Sequence, residues 1–149
     1  MTRFYIWLER MLEDGRKVTE LSAAEKLRSL RAEQPGYISD SFAPISSYGP
    51  HGAVVHYTPT PETDVELHTD NLYLLDSGAQ YTCGTTDVTR TIALCSQPTA
   101  QMRADFTAAL RGTIGIALCK FPAGIRGCLI DGFARKALWD AGINYLHGT

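Results

Sequence analysis

The chain has 149 residues, of which 44% are hydrophobic and 20% are charged, and its formal net charge at neutral pH is −2. These values are typical of a globular domain. The balanced charge, without a run of basic residues, argues against a surface that follows a nucleic-acid backbone. No apolar stretch approaches the roughly 18 residues of a membrane-spanning helix. We therefore expect neither nucleic acid nor a membrane as a partner.

The N-terminus and the cysteines bear on the cellular compartment. The first apolar stretch is interrupted by Glu9 and Arg10 and is too short for the core of a signal peptide. The four cysteines lack the CxxC spacing of a zinc knuckle or a redox motif. We expect a cytoplasmic protein whose cysteines are reduced and serve in packing.

Two helices are predicted in the first part of the chain. Apolar residues recur at a helical period over 2–14. A second helix is predicted over 19–31, where Ser22 and Glu25 have the spacing of a capping box. A Gln-Pro-Gly stretch then ends this helix.

The central part of the chain changes to a β pattern. Short strands are predicted over 37–39 and 43–47, and the segment 52–57 becomes apolar and β-branched after a glycine. The clearest β-hairpin is predicted over 72–93, where an apolar run precedes a β-branched one.

Helices return after the hairpin. They are predicted over 98–118, with Phe106 and Leu110 on the apolar face, and over 129–141. The order of helices, a β region and further helices indicates an α+β fold.

Two aspartates lie eleven residues apart in the predicted hairpin. A turn centred between Tyr81 and Thr82 would make Asp76 and Asp87 cross-strand neighbours, and a shift of one residue would make them diagonal neighbours on the same face. Carboxylates this close repel each other unless one is protonated or a cation binds both, and a pair of divalent metals would accept both. Alternatively, one aspartate caps a turn and the other pairs with Arg90. Spacing alone favours this structural alternative. The metal hypothesis is strengthened by the position of Asp76 after an apolar run typical of a buried strand, where an unpaired carboxylate is costly.

The hairpin resembles a known family. Residues 75–81 read Leu-Asp-Ser-Gly-Ala-Gln-Tyr and residues 84–91 read Gly-Thr-Thr-Asp-Val-Thr-Arg-Thr. Both segments are similar to the signature hairpin of aminopeptidase P, a family of pita-bread metallohydrolases. Further segments resemble that family in the same order, and they are residues 21–27, 44–49, 52–57, 133–139 and 145–149.

The resemblance implies a fold. We expect the first half of a pita-bread fold, in which a curved, mixed or antiparallel sheet carries helices on its outer face. Residues 1–149 would form a partial catalytic domain that ends before the remaining metal ligands. Alone, such a chain would be inactive and would expose a sheet edge and an apolar face, which favours a homodimer or association with the missing second half.

The resemblance also implies a reaction and a site. The family hydrolyses the peptide bond between an N-terminal residue and a following proline, so the expected partners are peptides with proline at the second position. Asp76 would bind one of two divalent ions and Asp87 would bridge both, with manganese expected and zinc or cobalt as alternatives. His56 and His147 match histidines that contact the substrate. The alternative for His56 is a histidine at the end of a strand with a structural hydrogen bond.

Two other functions stay open at this point. One is a prolidase or another pita-bread hydrolase, and the other is a non-catalytic pita-bread fragment that binds peptides. The segments around Asp76 and Asp87 favour aminopeptidase P over the first, and the presence of both aspartates argues against the second.

Structural roles are predicted for the other conspicuous side chains. His51 and His68 are expected at the surface, and Trp7 and Trp139 in the core. Arg90 should point away from Asp87 along its strand and form a structural ion pair.

Overall fold

The computed structural model describes residues 1–146, which divide into two compact units. The first unit comprises Met1–Gln97, and the second begins at Pro98. Helices and antiparallel strands are both present, so the predicted α+β class is confirmed. No helix in this part of the chain has both the length and the apolarity needed to cross a bilayer.

The first unit opens with helices α1 (Thr2–Glu13) and α2 (Glu20–Ala32), close to their predicted limits. The predicted cap of α2 is wrong by one turn. Thr19 is the N-cap: its hydroxyl accepts the Ser22 N–H at 3.2 Å, and the Ser22 hydroxyl accepts the Thr19 N–H at 2.8 Å. Thr19 has an extended conformation and forms a β-bridge with Glu66. The helix therefore begins after Thr19, and Ser22 is its third residue.

Six strands form two three-stranded antiparallel sheets. One sheet has the order β1 (Tyr37–Asp40), β4 (Ala79–Tyr81), β5 (Gly84–Thr85), and the other has the order β2 (Ile45–Tyr48), β3 (Leu72–Ser77), β6 (Val88–Ala93). The predicted hairpin is confirmed. Because Tyr81 pairs with Gly84 and Ser77 with Val88, one register runs through β3, β4, β5 and β6. The turn lies at residues 82–83, one residue later than the predicted centre.

The segment between β2 and β3 contains a short 3-10 helix, Gly49–Ala53, followed by a turn. His56 lies in this turn with φ of 55°, in the left-handed region that most side chains avoid. The segment therefore does not place His56 at the end of a strand, as the alternative interpretation of this histidine assumed.

The core of the first unit lies between the two helices and one face of the β2–β3–β6 sheet. Phe4 and Leu8 of α1 and Leu27 of α2 are buried there with Tyr73 and Leu75 of β3. Alternate residues of β3 are buried, as expected for a strand with one face on a core. Trp7 packs against this core, as predicted.

The second unit contains α3 (Ala100–Ala117) and α4 (Asp131–Asp140), which pack against each other. A Cβ atom at Gly112 would lie 2.2 Å from the Ala134 carbonyl oxygen, so only glycine permits this approach. Ala108, one helical turn before Gly112, is also buried. Small residues, rather than large apolar ones, make the close contact of this helix pair.

Several large apolar side chains of the second unit are exposed. Phe106 and Leu110, which were predicted on the packing face of α3, are each 46% exposed. Trp139 is 53% exposed and donates its indole N–H to Asn144 Oδ1 at 3.1 Å. The predicted core role of Trp139 is therefore wrong for the described residues.

All four cysteines are free. Cys83 lies in the hairpin turn, and both Cys83 and Cys128 are exposed, so the predicted packing role is wrong for these two. Cys95 and Cys119 are partly buried.

Candidate metal centre

The register of the hairpin places the two aspartates on one face. Asp76 of β3 pairs with Thr89 of β6, so Asp87, two residues before Thr89, is a diagonal neighbour of Asp76. This is the arrangement expected for a turn shifted by one residue. The face is opposite to the core face, because Leu75 and Ser77 on either side of Asp76 are buried.

The environment of Asp76 disfavours its ionised form. Partial burial raises the pKa of Asp76, and the hydroxyl of Thr89 lowers it. The nearby carboxylate of Asp87 raises this pKa further, and the charge of His56 lowers it slightly. Net repulsion between two neighbouring carboxylates is what a shared cation would relieve.

One oxygen of Asp76 lacks a partner. Asp76 Oδ1 is buried and accepts no hydrogen bond from any residue within 1–146. A buried carboxylate oxygen without a partner costs free energy, and a coordinated cation would satisfy it. Carboxylate oxygens are ligands that divalent cations such as Mn²⁺ bind, and two neighbouring carboxylates supply them together. The residues present therefore fit a metal ion.

The described residues supply only part of a ligand set. Residues 1–146 contain no group of three or more His, Cys, Asp or Glu side chains that could hold a metal ion. Asp76 and Asp87 are thus two potential ligands of a centre that would need further donors.

A glycine allows the strands to meet beside the aspartates. A Cβ atom at Gly78 would lie 1.9 Å from the carbonyl oxygen of Thr86 and 2.2 Å from Ser41 Oγ. Thr86 directly precedes Asp87, so any side chain at Gly78 would displace the backbone that carries this aspartate.

A partly buried arginine connects the two aspartate-bearing strands from the core side. The Nη2 atom of Arg31 in α2 donates to the carbonyl and the hydroxyl oxygens of Ser77, each at 3.1 Å. Its Nη1 atom donates to Thr86 Oγ1 at 3.2 Å. Because Ser77 follows Asp76 and Thr86 precedes Asp87, one guanidinium contacts the residues beside both carboxylates.

The sequence offered one signal for Arg31 that was missed. Arg31 lies four residues after the buried Leu27, so it occupies the core face of α2. A basic side chain on the buried face of a helix needs hydrogen-bond acceptors, and the hairpin provides them.

Of the two predicted site histidines, one lies near the aspartates. His56 is close enough to Asp76 for its charge to lower the pKa of that carboxyl. The turn after the 3-10 helix therefore brings His56 near Asp76. His147 lies outside the described residues.

His51 and Glu20 correct a prediction. His51 was expected at the surface, but its side chain is only 28% exposed, and its Nδ1 atom lies 3.0 Å from both carboxylate oxygens of Glu20. Glu20 is completely buried and was missed, because an acidic residue in the first turn of a helix is usually a solvated one. His68 is exposed, as predicted.

Arg90 points away from the aspartates, as predicted, because it pairs with Leu75 on the core side of the strand. Its guanidinium is exposed and donates to the Thr89 carbonyl oxygen at 2.7 Å. Arg90 forms no ion pair within residues 1–146, so its predicted ion pair is wrong, and so is the alternative in which it pairs with Asp87.

The chain resembles known proteins over its whole length. The Xaa-Pro aminopeptidase ApepP of Drosophila melanogaster is 43% identical over 149 residues, which are 100% of this chain and 24% of that protein. The crystal structure of an X-prolyl aminopeptidase from Caenorhabditis elegans, described as a cytosolic enzyme with a di-nuclear active site, has a TM-score of 0.92 and 40% identity. That match covers 99% of this chain and 24% of the other.

A dipeptidase is less similar. The Xaa-Pro dipeptidase from Bacillus anthracis has a TM-score of 0.74 and 25% identity, over 85% of this chain and 34% of the other. The chain thus spans 24% of the length of the curated relative from Drosophila, and its fold matches part of the pita-bread structures. The sequence profile of metallopeptidase family M24 matches residues 2–149. The chain belongs to metallopeptidase family M24.

Proposed function

We propose that residues 1–149 form part of the catalytic domain of an Xaa-Pro aminopeptidase. The enzyme would hydrolyse the bond between the N-terminal residue of a peptide and a following proline. The observation that carries this proposal is the diagonal pair of Asp76 and Asp87, with its unpartnered buried oxygen, in a chain 43% identical to a named Xaa-Pro aminopeptidase.

Asp76 and Asp87 would hold two divalent metal ions, with Asp87 shared between them. Manganese is the expected metal, and zinc and cobalt are alternatives with the same charge. When bound, such ions lower the pKa of a water molecule so that hydroxide is available near neutral pH. The di-nuclear site of the relative from Caenorhabditis elegans supports a pair of ions.

His56 and His147 would bind the substrate. His56 lies near Asp76, and its imidazole would donate a hydrogen bond to the developing charge on the peptide carbonyl oxygen. His147 would act near the same carbonyl and assist proton transfer. Neither histidine is needed to hold the metals in this scheme.

The remaining ligands would come from outside the described residues, so a polypeptide of these 149 residues alone would have no peptidase activity. The exposed apolar side chains of the second unit support an assembly, either a homodimer or a complex with the second half of the domain. The cytoplasm is the proposed location, in agreement with the description of the relative from Caenorhabditis elegans.

A prolidase is the second candidate, because the fold also matches an Xaa-Pro dipeptidase. The aminopeptidase is favoured by the 43% and 40% identities over essentially the whole chain, compared with 25% identity over 85% of it. A non-catalytic peptide-binding module has less support, since such a module would not need two adjacent carboxylates.

One assay separates these functions. The protein that contains this chain would be supplied with Mn²⁺ and tested on Xaa-Pro-Xaa tripeptides and on Xaa-Pro dipeptides. We expect release of the N-terminal residue from the tripeptide, loss of activity with a chelator and recovery with Mn²⁺. Hydrolysis of dipeptides alone would indicate a prolidase. Full metal loading without hydrolysis of either substrate would contradict both enzymatic functions.

A further inference from the structure

A completely buried carboxylate lies outside the candidate metal centre. Glu20, the first residue of α2, has a relative exposure of 0%. Burying an ionised carboxylate is costly unless several donors satisfy its oxygens. The residues that supply these donors are the ones whose positions Glu20 can fix.

All of these donors lie in the segment 48–57, one at each end and one between them. Oε1 of Glu20 accepts the backbone N–H of Tyr48 at 2.6 Å, and Oε2 accepts the hydroxyl of Tyr57 at 2.7 Å. The Nδ1 atom of His51 lies 3.0 Å from both oxygens, so with an ionised carboxylate this nitrogen carries the proton and donates it. The rings of His51 and Tyr57 are stacked at 4.4 Å between centroids.

Tyr57 remains a hydrogen-bond donor at neutral pH. Burial raises its pKa, a hydrogen bond with Thr63 lowers it, and the hydrogen bond to Glu20 raises it again. The phenol therefore stays protonated, and its contact with the carboxylate persists over the physiological pH range.

The same segment carries His56, directly before Tyr57. His56 has φ of 55°, a conformation that is unfavourable for a non-glycine residue and persists only where the surroundings hold it. The two hydrogen bonds at the ends of the segment, together with His51, provide such a constraint. Without them the turn could relax and carry the imidazole away from Asp76.

We propose that Glu20 is a positioning residue for His56: its buried carboxylate fastens residues 48, 51 and 57, and so holds the turn that presents His56 to the metal centre. The inference rests on the proposed function, because it takes His56 as a group that binds the substrate. Glu20 itself touches neither Asp76 nor Asp87. Its effect on catalysis should therefore pass through His56 and leave the metal ligands intact.

The test uses the metal-loaded protein that contains this chain and the variant Glu20→Gln, which keeps the size of the side chain but removes its charge and one acceptor. Glu25→Gln is the matched control, because Glu25 lies in the same helix and pairs with Arg28 at the surface. Tyr57→Phe is a milder variant that removes the hydroxyl bonded to Glu20 and Thr63 and keeps the ring contact with His51.

Amide hydrogen exchange measures the anchoring without reference to activity. In Glu20→Gln and in Tyr57→Phe we expect faster exchange of the segment 48–57 than in the wild type, with α2 and the hairpin unchanged. Glu25→Gln should leave the exchange of this segment unchanged. Equal protection of the segment in the wild type and in both anchoring variants would overturn the proposal.

A double-mutant cycle tests whether the effect of Glu20 on catalysis passes through His56. Glu20→Gln should lower kcat/KM on an Xaa-Pro-Xaa peptide on the order of tenfold to a hundredfold, with metal content unchanged. In a His56→Ala background the same change should cost less than about twofold, since its target is already absent. An undiminished loss in that background would overturn the proposal. Failure of the proposed function would be seen separately, as no hydrolysis by the wild type, while faster exchange in the variants would still support the anchoring of the turn.

Discussion

The two faces of the β3–β6 hairpin carry different kinds of residue on the same strands. On the core face, Tyr73, Leu75 and Ser77 are buried against α1 and α2 or hydrogen bonded to α2. On the opposite face, Asp76 has a buried oxygen that no residue within 1–146 hydrogen bonds, and it lies beside a second carboxylate, Asp87. The core face gains free energy from burial, whereas the aspartate face stores a repulsion that a bound cation would remove.

This comparison shows how a strand with a period of two residues separates stability from chemistry. A change of one position along β3 moves a substitution from the core to the candidate metal centre. The two faces are nevertheless connected, because Arg31 donates from the core side to the Ser77 carbonyl oxygen, next to Asp76, and to the Thr86 hydroxyl, next to Asp87. Substitutions on either face can therefore test how far stability and metal binding depend on each other.

The largest effect is expected on the aspartate face. Asp87→Ala in the protein that contains this chain should lower activity on an Xaa-Pro-Xaa peptide on the order of a thousandfold or more, because it removes the carboxylate that we propose two ions would share. Thermal unfolding of the metal-free protein should change little. Asp105→Ala, at an exposed position of α3, is the control for the loss of an aspartate. Retained activity in Asp87→Ala would show that this face is not the centre.

The core face should give the largest loss of stability. Leu75→Ala removes a fully buried side chain and should lower the free energy of unfolding by about 2–5 kcal/mol, as measured by denaturant titration. Its neighbour Leu74 is only partly buried on the other face, so Leu74→Ala should cost clearly less. Equal losses for the two variants would contradict the assignment of the faces.

Arg31 tests the connection between the faces. Arg31→Met should lower the free energy of unfolding by about 1–3 kcal/mol, because the buried oxygens of Ser77 and the Thr86 hydroxyl lose a donor. It should also weaken Mn²⁺ binding by roughly tenfold to a hundredfold, as for other supporting groups of metal sites. Arg28→Met, which removes an arginine of the same helix that pairs with Glu25 and Asp40, is the matched control. Unchanged Mn²⁺ affinity in Arg31→Met would mean that the core face does not set the spacing of the aspartates.

The smallest effect concerns the repulsion between the two carboxylates in the metal-free protein. In the metal-free protein, Asp76→Asn should raise the free energy of unfolding by a few tenths of a kcal/mol at neutral pH, a small gain because the group is partly solvated. The gain arises because the variant removes a charge that burial and Asp87 both disfavour. Differential scanning calorimetry under chelating conditions would measure it, and a clear loss of stability would contradict the stored repulsion.

Local sequence patterns predicted most of the elements correctly. The hairpin followed from its apolar and β-branched runs, but its turn at residues 82–83 has no glycine or Asn-Gly signal, and its centre was one residue off. The prediction that Asp76 and Asp87 share a face still held, because directly opposite and diagonal neighbours lie on the same side of a sheet.

Tertiary contacts account for what the patterns missed. Glu20 and Arg31 are charged residues of a helix, and a periodic pattern alone treats such residues as solvated. Their burial depends on the strands and turns that pack against α2, which lie far along the chain. The same limit applies to Trp139 and to the exposed apolar residues of α3. An apolar residue in a helical pattern does not indicate whether another part of the chain packs over it.

The central claim is that Asp76 and Asp87 bind a pair of divalent ions. Anomalous X-ray diffraction at the manganese edge, on crystals of the complete protein grown with Mn²⁺, tests it most directly. We predict two anomalous peaks roughly 3.5–4 Å apart, one in contact with Asp76 and both in contact with Asp87. Manganese bound elsewhere, with neither aspartate among its ligands, would contradict the account.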